Sequence, residues 1–369
     1  MTTAQIFSMG MGILQLLAFI GVIVFIASRF RRKKRGGAKH ETRDWYLNIS
    51  LSKEDGLSQS FLLLFILFFG IALLAINRNM ASPVSVQTIV LITSLIGLGS
   101  TYLLRALYIL PFSIIGILIW WLVQAQEWIE AADIREAVLL AVVGLVALLY
   151  YLIGQLHERK KKYKRLALVF SVVGLVMMTA ILFVLSTKPG LNMLESLTEG
   201  SAFFGSWQIS VSLLLVLIGI GGSAISALSS KNISIYEVLA ISVFVVMFVF
   251  IAFLPQQDFF ISDSTSLSFS SANNGLTAAG ILWTTIFNVL VFLLLVGIIF
   301  VGYMQREVWL INYGALFLFI LIIVKYFDWF FTFLDKSIFF ITAGILMLIL
   351  GWGMEKGRRR LISTASEKV

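Results

Sequence analysis

The residues best placed to do chemistry stand near the C-terminal end: Lys325 and Asp328, three apart, then Asp335 and Lys336 side by side. On one continuing helix, Lys325 and Asp328 share a face. An aspartate opening the next helix, as Asp335 does, is favoured by capping and by the helix dipole. Two carboxylates flanked by two lysines could bind a cation, a headgroup or a phosphorylated lipid, or act on a lipid-linked substrate. The same four residues could instead form a salt-bridged, capped hairpin fixing the last two spans, and this structural alternative is preferred.

Other reactive types are sparse or poorly arranged. The chain has no cysteine, which excludes disulfides, thiolate metal sites and a cysteine nucleophile. Its two histidines, His40 and His157, are far apart and fall in charged segments, where they read as solvated loop residues rather than metal ligands. No serine pairs with a His and an Asp in a hydrolase pattern. Glu127, Glu130 and Asp133 follow at i, i+3, i+6 and would share one helical face, but clustered charge in a short solvated segment ordinarily serves solubility. Gly219, Ser223 and Ala227 repeat every four residues, a spacing that lets helices approach closely. Asn288, Asn312 and Gly314 read likewise as inter-helix hydrogen-bonding and packing positions. No metal, cofactor or nucleic acid is called for.

These residues are positioned by elements of one kind. Of 369 residues 59% are hydrophobic and 13% charged, against about 25% charged in an ordinary soluble domain. Apolar runs of membrane-spanning length recur along the chain. In lipid each backbone N–H and C=O must be satisfied within the segment, so the runs are expected to be helices. The alternating ten-residue pattern of a β-barrel is not seen. The fold class expected is all-α, a polytopic transmembrane bundle of about eleven spans: 5–28, 60–77, 85–104, 106–124, 135–154, 166–186, 209–228, 235–254, 280–303, 308–325 and 337–354. Arg105 divides the third from the fourth, and Pro111 suits a restarted helix. Pro189-Gly190 is expected to make a turn between the sixth and seventh.

Charge orients the bundle. The first run lacks a basic leader and is followed at once by Arg29-Phe-Arg-Arg-Lys-Lys-Arg35, the pattern of an anchor rather than a cleaved signal. With the N-terminus outside, 23 of the 28 Lys and Arg residues fall in cytoplasmic segments and the C-terminus lies inside. The parts expected are an anchor (1–28), a basic cytoplasmic linker with an interfacial segment (29–59), the bundle (60–354) and a basic cytoplasmic tail (355–369). Helix interiors are almost free of ionisable residues, which argues against a proton pump or ion-coupled carrier.

The C-terminal third resembles an uncharacterised prokaryotic family of polytopic membrane proteins (domain of unknown function 2157 and its relatives). The resemblance is carried by Asn288, Gly302, Asn312-Tyr-Gly314, Lys325-Tyr-Phe-Asp-Trp-Phe330, Leu334-Asp-Lys-Ser-Ile-Phe-Phe340, Gly344, Gly351 and Arg358-Arg-Arg360. It implies architecture and a prokaryotic inner membrane more than an activity. The expected partners are the lipid bilayer and a membrane-protein partner or second copy. The leading expectation is a non-enzymatic scaffold or subunit of an envelope complex. A transporter or flippase for a lipid-like substrate is the alternative, and an enzyme working at the outer face the third.

Overall fold

The computed structural model describes residues 56–78, 84–104, 106–158, 163–200, 206–230, 233–260, 276–305, 307–330 and 336–367, with backbone alone at 56–58, 327–330, 336–339 and 360–367. The anchor, nearly all of the basic linker, His40, Arg105 and Asp335 lie outside the described residues. Among those described the chain is eleven α-helices without a β-strand. In order they are α1 (Gly56–Arg78), α2 (Val86–Leu104), α3 (Ile109–Ala132), α4 (Ala137–Glu158), α5 (Lys164–Leu185), α6 (Lys188–Leu197), α7 (Trp207–Ser229), α8 (Ile235–Ala252), α9 (Ala278–Met304), α10 (Val308–Phe330) and α11 (Lys336–Glu367). All but the ten-residue α6 are long and apolar enough to cross a membrane. They make this an integral, multi-pass membrane protein.

The ten long helices coincide with the second to eleventh spans expected from the sequence, and the chain does break between Leu104 and Ile109. Pro111 occupies the first turn of α3, where its missing N–H costs no intrahelical bond. Two local expectations are corrected. The acidic segment 125–134 is the last part of α3, which runs on to Ala132. Asp133 ends it in the left-handed region (φ 49°), its N–H bonded to the Ile129 carbonyl. Pro189 and Gly190 do not turn the chain; they lie in the first turn of α6. A proline is accommodated there because first-turn N–H groups have no intrahelical partner. Gly190 is required because a Cβ would come within 1.8 Å of the Val184 carbonyl oxygen. Residues from 355 onward continue α11 as helix to Glu367.

The described residues divide into two compact units, those up to 178 with those between 197 and 256, and 179–196 with those from 257 onward, the division falling inside α5. In the first unit, helices meet through small residues. A Cβ on Gly116 would lie 2.2 Å from Ser94 Oγ, and one on Gly97 would lie 2.4 Å from Ser113 Oγ, so α2 and α3 touch nearly backbone to backbone. Gly144 of α4 makes room for the fully buried ring of Phe248 on α8. Gly174 of α5 abuts the Ala147 carbonyl of α4. In the second unit Phe287, Val291 and Leu295, four apart on α9, are fully buried with Ile311 of α10. Gly302 and Gly314 allow that contact. Helix starts are locally encoded: the Ser234 hydroxyl accepts from Glu237 N at α8, and Thr277 from Gly280 N at α9.

Candidate functional site

The main polar convergence in the second unit is at a backbone carbonyl. Only Ser186 and Thr187 separate α5 from α6. Helix propagation stops there, so the Ser186 carbonyl is free to accept bonds from side chains. It receives two: the Lys325 ammonium of α10 and, at 3.5 Å, the Asn288 amide of α9. The same Asn288 Nδ2 also donates to its own helix at Thr284 O, 2.7 Å away. Ser186 is buried and Lys325 half-buried. A cation at the C-terminal end of α5 meets the negative end of the helix dipole, which is why an ammonium is tolerated among apolar side chains. The flanking hydroxyls close on the same turn, Ser186 Oγ donating to Phe183 O at 2.8 Å and Thr187 Oγ1 to Val184 O at 2.7 Å.

Further polar links run from α10. The Tyr313 hydroxyl donates to Thr179 Oγ1 of α5 at 2.9 Å in a buried position. Asn312 accepts, through Oδ1, from Arg358 of α11 at 2.7 Å, while Arg358 grips both oxygens of Glu355 at 2.7 and 2.8 Å. Thus α10 reaches α5 through Tyr313, the α5–α6 junction through Lys325, and α11 through Asn312 and through the Tyr326 hydroxyl, which is hydrogen-bonded to Thr342 Oγ1.

Of the four residues expected to form the polar cluster, Lys325 is placed on the Ser186 carbonyl. Asp328 lies one turn further on α10 and Lys336 opens α11, both with backbone alone described; Asp335 lies outside the described residues. Gly314 packs on α9, where a Cβ would come 2.5 Å from Ile299. In the first unit Gly219 faces Leu149, Ala227 is fully buried and Ser223 is half-buried.

His157 is not a solvated loop residue. It sits in the last turn of α4 with its ring stacked on Phe170 (centroids 5.6 Å apart) and edged by Tyr163. Its Nδ1 lies 2.8 Å from the Ile153 carbonyl, so Nδ1 carries a proton and donates; in the neutral ring Nε2 then accepts from Tyr102 OH at 3.2 Å. The run of charge after Glu158 made the histidine look like loop; helix α4 simply extends one turn further than its apolar stretch. Arg135 was also missed as a link: it donates to the carbonyls of Gly200 and Leu254, at 3.1 and 3.2 Å. Gly200 has φ +124°, a conformation that disfavours any side chain. Partners 65 and 119 residues away leave no local signal.

Among the described residues no group of His, Cys, Asp or Glu could hold a metal ion. Two open hollows have apolar walls. One, about 400 Å³, is lined by Tyr326, Thr342, Ile345, Leu346 and Ile349. The other, about 290 Å³, lies along α8. No match to this chain was found among family models, curated proteins or solved structures.

Proposed function

We propose that this chain is a non-enzymatic scaffold, or a subunit of a membrane-embedded envelope complex, with its N-terminus outside, its C-terminus in the cytoplasm and a prokaryotic inner membrane as its site. The observation that carries this reading is how the second unit uses its polar side chains. Tyr313 and Arg358 each bond to a neighbouring helix, and Lys325 and Asn288 bond to the junction between α5 and α6. Such bonds fix helices against one another and favour a rigid body. The resemblance of the C-terminal third to an uncharacterised polytopic family supports the polytopic architecture more than any activity.

The faces left outward suit association. On α7, Gly222 has nothing within 4 Å of a would-be Cβ, and Gly222 and Ser226 are both exposed. A second copy or another membrane protein would be held by close packing there. Purification in a mild detergent with native mass spectrometry, and crosslinking in intact membranes, should recover a stable homo-oligomer or a constant partner. A consistently solitary monomer in both would overturn the proposal.

The transporter or flippase reading has one observation in its favour, the interruption between α5 and α6 with its freed carbonyl, since interrupted helices mark many carrier sites. Flux of a lipid-like substrate in proteoliposomes that changes when Lys325 is replaced would support that alternative over the scaffold.

A further inference from the structure

On α11 the outward residues Ile341, Ile345, Leu348 and Trp352 follow at intervals of three and four, one stripe on one face. Continuing the stripe leads to Lys356 and Arg359. Lys356 Nζ lies 4.8 Å from the centroid of the Trp352 ring, which is itself 68% exposed. The Arg359 side chain is 76% exposed, against 32% for Arg358, which turns inward to Asn312. The three cations outnumber the one carboxylate between them: Glu355 pairs with Arg358 and Arg359, both at 2.7 Å. The 400 Å³ apolar hollow borders this stripe and shares Ile345 with it, running from Thr342 to Ile349, about 10 Å along the helix at about 1.5 Å per residue. Ile349 and Lys356 are seven residues apart, two turns, and therefore on one face about 10 Å from each other.

We propose that the α10–α11 face binds an acidic phospholipid. An acyl chain occupies the groove at Thr342, Ile345 and Ile349, and the phosphate is held by Lys356 and Arg359. Charge complementarity names the occupant: Lys356, two turns beyond Ile349 and in line with the groove, with Arg359 beside it, fits a molecule that is apolar at one end and anionic at its head. Trp352 between them fits the ester level, where indole rings are favoured. Arg358 is a positioning residue, orienting Glu355 and through it Arg359. The inference does not depend on the scaffold reading.

The test is native mass spectrometry of the full-length, detergent-purified chain titrated with phosphatidylglycerol or phosphatidylcholine. The wild type should bind phosphatidylglycerol about 30-fold more tightly, the gain expected for two basic residues near the headgroups. K356Q/R359Q should reduce that preference to within about 2-fold, while the charge-conserving K356R/R359K keeps it and shows that folding is intact. I345W should weaken both lipids alike by filling the groove. Equal binding of the two lipids by the wild type, or an undiminished preference in K356Q/R359Q, would overturn the proposal. So would unaltered binding by I345W, or displacement of the lipid by inorganic phosphate.

Discussion

Lys325 and Asn288 converge on a carbonyl that a helix can no longer satisfy, and the two contributions are unequal. Replacing Lys325 with Met removes a charged donor from a buried acceptor; such a loss costs about 1–3 kcal/mol. Asn288→Ala leaves the lysine in place, so its cost should be near the ~0.6 kcal/mol typical of hydrogen bonds between membrane helices. Unfolding by increasing SDS fraction in mixed micelles should rank K325M below N288A, with the double variant falling further than the sum of the singles. Additive losses would mean that the two side chains act on separate acceptors. Lys325 and Asn288 were legible from the sequence because polar residues stand out in an apolar run. Their shared acceptor was not, since a backbone carbonyl has no residue signature and lies 139 and 102 positions away. Spacing alone sets Asp328 beside Lys325, a rule that sees only partners on the same helix.

Helix packing makes its own demands. Gly144→Ala would place a Cβ 2.2 Å from the Phe248 ring, and Gly174→Ala would place one 2.6 Å from a main-chain oxygen of α4. Overpacking of this kind costs about 1–3 kcal/mol. The ring can give way, so F248L should rescue G144A; the backbone cannot, so G174A should be the more damaging of the two. Gly221→Ala meets nothing within 4 Å and should be neutral or raise stability by about 0.5–1 kcal/mol through helix propensity. Thermal unfolding in detergent ranks these variants. The ten described spans were visible in the sequence because lipid allows only one solution for a long apolar run. The end of α3, the whole of α6 and the last turns of α11 were not, because beyond the apolar core helices and loops share a polar composition. In α6 the apolar signal is three leucines, Leu191, Leu194 and Leu197, all buried, too few to mark a span. The repeat at Gly219, Ser223 and Ala227 was conspicuous, yet the tightest glycine contacts on α2, α3, α4 and α5 are made by isolated residues.

For the molecule as a whole, the sidedness set by Lys and Arg is the quantity to measure. Because the chain has no cysteine, single cysteines can be introduced without a background to remove. Labels at Glu158 and at Glu367 should both be reached only from the cytoplasmic side, and one at Asp258 only from the other. Opposite accessibility of the first two would change the parity of the span count and with it the side assigned to every polar group.

At about 1.5 Å per residue, the 32 residues of α11 make a rod about 48 Å long, well beyond the ~30 Å hydrocarbon thickness. A helical protein fused in register after Glu367, with no flexible linker, would inherit the direction of that rod. The chain thus offers its own mounting point for a soluble marker large enough to orient individual particles by electron microscopy.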